Sequence, residues 1–136
     1  MWPEFIHHLT LHFALVLPMA LAAVGLWSLK CGDARFTALL RWGGLVTLAL
    51  TVLTAVTGLL AGGFAGGEDH LVHHRYLGIM TTVVVAIAAV SYDHGVRRDS
   101  ADWRSYGVGV WWVATFSTIG AGHWGVLAEH GDIIPL

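Results

Sequence analysis

Residues 5–29 read Phe5-Ile6-His7-His8-Leu9-Thr10-Leu11-His12-Phe13-Ala14-Leu15-Val16-Leu17-Pro18-Met19-Ala20-Leu21-Ala22-Ala23-Val24-Gly25-Leu26-Trp27-Ser28-Leu29. Apart from three histidines and a few small polar residues, the run is apolar. Its length decides the fold class, because about 20 apolar residues in a helix cross a bilayer. We therefore place a first membrane span over 8–29. Pro18 falls inside it, which membrane helices tolerate when neighbours satisfy the freed carbonyl.

Three more such runs follow, over 36–62, 70–92 and 106–128. Residues 30–41 read as a short basic loop and helix start. Residues 62–69 read as a Gly-rich turn without the Lys-Ser/Thr of a phosphate loop, with Asp69 placed to cap the next helix. Residues 93–105 form a second basic loop. The expected architecture is all-α: an integral-membrane four-helix up-and-down bundle, with 1–136 as a single transmembrane domain. The second span carries a seam of small residues (Gly44, Thr47, Thr51, Thr54, Gly58, Gly62) at helical spacing. Such a seam lets helices approach closely in lipid, or leaves a face flat enough to lie against a cofactor. The sequence shows no convincing internal repeat.

Composition agrees. Only 12% of the 136 residues are charged, against about 25% in a soluble domain, and the mean hydropathy is +0.67. A net charge of -2 with no basic patch speaks against nucleic acid. Cys31 is the single cysteine. That excludes an internal disulfide, a CxxCH haem attachment and a Cys-rich metal cluster. Residues 1–7 hold no Lys or Arg, which reads against a cleaved signal peptide. The spans hold no acid pair suited to ion transport, and no GxSxG or Ser-His-Asp pattern suggests a hydrolase.

Lys30, Arg35, Arg41, Arg97, Arg98 and Arg104 fall on one side of the expected bundle. Arg75 stands alone on the other, among Glu4, Glu68, Asp69, Glu129 and Asp132. The positive-inside rule then puts both termini on the periplasmic side of a bacterial inner membrane, in a multi-pass protein.

The nine histidines divide just as unevenly. His7, His8, His12, His70, His73, His74, His123 and His130 fall towards the outer side, and only His94 towards the inner. A histidine at an interface costs little, since it can stay neutral and meet water. Imidazoles within a span are functional candidates. His12, His74 (or His73) and His123 come from three spans at similar depth, and Gly78, one turn below His74, leaves room for a planar ring. Arg75 is placed to meet an acidic group such as a haem propionate. Imidazole serves haem iron, copper and zinc, but there is no HExxH zinc signature.

The pattern His7-His8-Leu9-Thr10-Leu11-His12-Phe13-Ala14-Leu15 resembles the opening of a bacterial membrane family catalogued as domain of unknown function 2231. The His7-to-His12 spacing and the His12-Phe13 pair correspond, while His8 and Ala14 stand where the family has prolines. His74 or His73 looks equivalent to the histidine opening the family's third span. Gly122-His123-Trp124-Gly125-Val126-Leu127-Ala128-Glu129-His130-Gly131 is similar to its Gly-rich, His-Gly closing stretch. The resemblance implies a four-helix membrane fold and a haem association, similar in plan to small membrane b-type cytochromes. It implies no settled activity.

The sequence thus leads us to expect one or two haem b groups in the outer half of the bundle. Axial ligands are expected from His12, His74 (or His73) and His123, with His130, His7 and His8 as further candidates and Arg75 beside them. The expected role is an electron carrier rather than a bond-making enzyme, embedded in the lipid bilayer. Its expected partners are a periplasmic cytochrome c or a quinol, with a homodimer or larger membrane complex around it. The alternatives are a histidine-based copper or zinc protein and a non-catalytic structural subunit.

Overall fold

A computed structural model describes residues 2–62 and 69–130; the side chains of His70, Ala128, Glu129 and His130 lie outside that description. The chain forms four helices: α1 (Trp2–Cys31), α2 (Ala34–Gly62), α3 (Asp69–Arg97) and α4 (Ala101–His130). Each packs against its two neighbours in a ring running α1, α2, α3, α4 and back to α1. The Gly-rich turn expected over 62–69 falls mostly on residues not described, and Asp69 is the first residue of α3.

The helices outrun the expected spans at most of their ends. The basic segment 93–105, expected as a loop, is helical except at 98–100. Its charges explain why. Asp93 accepts from Arg97 Nε at 2.6 Å, an i,i+4 pair that carries α3 onward, and from Arg41 Nε of α2, also at 2.6 Å. Left-handed residues close both turns at this end: Gly32 (φ 65°) after α1 and Asp99 (φ 49°) after α3. Asp33, in the first turn, is held below the ordinary carboxylate range by hydrogen bonds from the Arg35 side chain and backbone.

The distribution of polarity is inverted relative to a water-soluble bundle. Buried positions include Thr10, Thr47, Thr51, Thr54, Thr57, Thr81, Thr115 and Thr118, while Phe5, Leu9, Phe13, Val16, Leu60, Val90 and Phe116 face outward. Water-soluble proteins mostly expose Thr and bury Leu, Val and Phe. The inward hydroxyls are satisfied at home. Thr47, Thr54, Thr57, Thr115 and Thr118 each donate to the carbonyl four residues earlier, as polar groups shielded from water must. α1, α2 and α3 are long and apolar enough to cross a membrane. α4 is as long but carries more Gly, Ser and Trp.

The fold also contains a duplication. Ala34 to Ala101 is a step of 67 residues (101 − 34), so α2 and α4 start in register. The same step carries Gly32 to Asp99 in the turns. Buried Ala14, Pro18, Leu21, Ala22, Gly25 and Ser28 of α1 map onto buried positions 81, 85, 88, 89, 92 and 95 of α3. Buried Leu40, Gly44, Thr47, Thr51 and Thr54 of α2 map onto buried 107, 111, 114, 118 and 121 of α4. The α1–α2 and α3–α4 hairpins are thus two copies of one unit about a pseudo-two-fold axis along the bundle, a parallel repeat.

Side-chain size is redistributed between the copies, which hides the repeat from residue comparison. Gly25 and Leu40 of the first hairpin correspond to Tyr92 and Gly107 of the second. A Cβ on Gly107 would lie 2.9 Å from the Tyr92 backbone nitrogen. Gly44 corresponds to Trp111, and the Trp111 indole fills the space that a Gly44 side chain would need, 3.2 Å from its ideal Cβ.

These contacts predict opposite effects for two neighbouring glycines. Gly107→Ala should destabilise the protein by about 1–3 kcal/mol, because α3 backbone blocks the new methyl. Gly109→Ala meets nothing within 4 Å and should be neutral or stabilising by up to about 1 kcal/mol through helix propensity. Reversible denaturation in detergent, followed by circular dichroism, reads both.

Candidate functional site: two histidines on the pseudo-two-fold axis

The helix ends Trp2, Gly62, Asp69 and His130 share one end of the bundle, opposite the Arg41–Asp93–Arg97 cluster. A cavity of about 580 Å³ opens within that end, lined by all four helices. Its volume lies in the range of small-molecule and cofactor sites. The α1 wall (Glu4, His7, His8, Leu11, His12, Ala14, Leu15) and the α3 wall (Leu71, His74, Arg75, Gly78, Ile79, Thr81, Thr82) correspond position for position under the repeat. The cavity therefore lies on the pseudo-two-fold axis.

His7 and His74 face each other across it, with ring centroids 6.2 Å apart and planes at 88°. Each ring is fixed in the same way. His7 Nδ1 lies 2.9 Å from the Thr54 carbonyl of α2, and His74 Nδ1 lies 2.9 Å from the Ala121 carbonyl of α4. In both cases the partners are 47 residues apart in the chain. A carbonyl only accepts, so each Nδ1 carries the proton, and in the neutral ring Nε2 keeps its lone pair.

Glycine makes both bonds possible. A helical side chain leans back over the turn before it, so the residue four positions on shields a carbonyl from the side. Here those residues are Gly58 and Gly125. A Cβ on Gly58 would lie 2.8 Å from His7 Cε1, and one on Gly125 would lie 3.0 Å from His74 Cε1. The small-residue seam of α2 thus seats the His7 ring through Gly58 and Trp111 through Gly44.

The two walls differ in chemistry. Positions 4, 8 and 12 are Glu, His and His on α1, and the corresponding 71, 75 and 79 are Leu, Arg and Ile on α3. Leu11 of α1 is matched by Gly78 of α3, where an added Cβ would meet nothing within 4 Å. The lining includes the exposed side chains His8, His12, Ile79 and Val126, so the cavity breaks through to the outside of the bundle.

The structure brings together His7 and His74, with His8 5.8 Å from His7 edge-on. His12 lies at the cavity wall but is exposed, and it makes no hydrogen bond to a described residue. His73 and His123 are exposed and outside the lining. His73 Nδ1 donates to the Asp69 carbonyl and the ring stacks on Trp124 at 4.7 Å, while His123 meets Trp124 edge-on. Arg75 lines the cavity. The His130 and His70 side chains lie outside the described residues. Depth alone ranks His7 as an interfacial histidine; its pairing was legible only through the repeat, which carries His7 to His74 and Gly58 to Gly125 in one step.

Two imidazoles suit a planar metal macrocycle that brings its own equatorial ligands. Nitrogens about 2 Å from a shared metal put the two ring centroids roughly 6 Å apart, as found here. A bare zinc ion needs three or four protein ligands, and no such group of His, Cys, Asp or Glu gathers among the described residues.

Filling the open side of the cavity tests its role without disturbing the packing. Gly78→Leu should leave thermal stability unchanged or slightly raised, since it mirrors Leu11 and improves helix propensity by about 1 kcal/mol. Any small molecule that the cavity takes up should be captured far less well by the same protein, as read by the ratio of co-purifying ligand to protein. No family model, curated protein or solved structure matches this chain.

Proposed function

We propose that this protein is a membrane b-type cytochrome, multi-pass in the bacterial inner membrane, carrying electrons at the periplasmic face. One observation supports this above all: His7 and His74 face each other at a separation that would suit holding one metal between them, each with Nδ1–H on a carbonyl and Nε2 available. Ligating histidines characteristically donate the other ring N–H in this way, which fixes the ring and raises its basicity. Haem b, when bound, supplies a one-electron iron couple whose potential the protein tunes. His7 and His74 would hold the iron, Gly78 would leave room for the ring, and Arg75 and His8, at corresponding positions near the rim, would face its acidic edge. Thr51 and Thr118 from the corresponding depth of α2 and α4 line the cavity's inner end. The segregation of Lys and Arg to the far end supports placing the histidine end outside, and the resemblance of the first and last spans to domain of unknown function 2231 belongs to the same proposal. A periplasmic c-type cytochrome or a quinol would exchange electrons with it.

The absorption spectrum of the purified protein tests this. We expect a Soret band and a reducible α band of the b type, lost in His7→Ala and in His74→Ala and retained in His73→Ala and His123→Ala. A colourless protein containing copper or zinc would replace the proposal with a metal-binding one. A colourless, metal-free protein would leave a structural subunit. The near-perpendicular rings predict a second signature: if both hold the iron, the ferric protein should show the strongly anisotropic low-spin EPR signal of crossed imidazoles, not the rhombic signal of parallel ones.

A further inference from the structure

The exposed part of the cavity lining is not chemically alike on its two corresponding sides. Between α1 and α4 it reaches the surface past His8, His12 and Val126. The corresponding opening between α3 and α2 is bounded by Arg75, Ile79 and Leu59. His12 lies ten residues into α1, about 15 Å along the helix, within a stretch apolar enough to cross a membrane. It is exposed one turn beyond the exposed His8, on a helix whose other outward residues there include Leu9, Phe13 and Val16. An imidazole facing lipid, with no hydrogen bond to a described residue, is costly unless a partner meets it there. Its counterpart Ile79 shows that the fold does not require a polar group at this position.

We infer that the α1–α4 opening admits a membrane-soluble hydroquinone, with His12 accepting a hydrogen bond from one of its phenolic hydroxyls. The inference rests on the haem reading for its electron acceptor. A ligand for this opening must arrive through lipid, be flat enough to enter past Val126, and carry a donor for a neutral imidazole. A hydroquinone with an apolar tail meets all three conditions. Each hydroquinone loses two electrons and two protons to become the quinone. Haem held by His7 and His74 would take one electron in each of two protein molecules, and the protons would pass to water at the histidine end. His12 touches the substrate and is not an iron ligand.

The test uses the haem-loaded protein in detergent and decylubiquinol as the reductant, mixed anaerobically and followed at the α band. We expect two haems reduced per hydroquinone. His12→Leu should slow the reaction by about tenfold, the factor that loss of one hydrogen bond to a bound ligand brings. The dithionite-reduced spectrum should be unchanged, and His12→Gln should recover part of the rate. Val126→Trp, which blocks the α1–α4 opening, should slow reduction, while the corresponding Leu59→Trp should not. An azido-ubiquinone photolabel should attach to α1 and lose that site in His12→Leu, with or without haem. Loss of the haem spectrum in His12→Leu would overturn the inference, as would equal slowing by the two tryptophans or labelling confined to α3. A protein that carries no haem but is labelled on α1 would instead overturn the cytochrome reading and leave the binding site standing.

Discussion

One interaction, made twice, organises the histidine end of this bundle: an imidazole N–H donated to a main-chain carbonyl of the next helix. A carbonyl inside a helix already accepts one bond along the chain, and its second lone pair is normally hidden by the side chain one turn on. Removing that side chain at Gly58 and Gly125 uncovers the oxygen. Away from water such a bond is electrostatically stronger than at a surface, and the bond fixes both the tautomer and the direction of the ring. The same two bonds tie α1 to α2 and α3 to α4 at the level where the cavity widens. Rigid histidines and open space beside them therefore share one cause.

Much of the architecture was readable from the chain. Four long apolar runs, two basic connections and small-residue seams lead to a four-helix bundle, and three of its helices have the length and hydropathy of membrane spans. The helix ends were not readable, because Asp93 looks like the start of a polar loop until its pairing with Arg41 and Arg97 is seen. Nor was the duplication. Hairpins of equal length can exchange bulk between facing positions without changing the backbone, and Tyr92 over Gly107 opposes every identity a comparison with Gly25 and Leu40 would seek. The histidine pair was hidden for the same reason. His12 and His123 stand out by depth and by their apolar neighbours, whereas the pairing of His7 depends on a glycine 51 positions away (58 − 7).

The two ends of the bundle are held by different physics. At the basic end, the Asp93 carboxylate, itself little exposed, joins Arg41 of α2 to Arg97 of α3. It is a charged link across the seam between the hairpins. At the histidine end the hairpins meet around a cavity and not around a packed core. The core lies between, where Trp111, Tyr92, Leu40 and Val108 are fully buried. Order is therefore concentrated away from the site, and the walls of the cavity are left free to differ from one another.

The Trp111–Gly44 contact has a further implication for how such a chain can come together. A two-fold assembly of two first hairpins would place glycine opposite glycine at this level and leave a void. An assembly of two second hairpins would drive two indoles into one space. Only the mixed pairing fills the core once. The contact is a lock between unlike halves, favouring the pairing that one chain contains within itself over the exchange of matching hairpins between molecules in a crowded membrane.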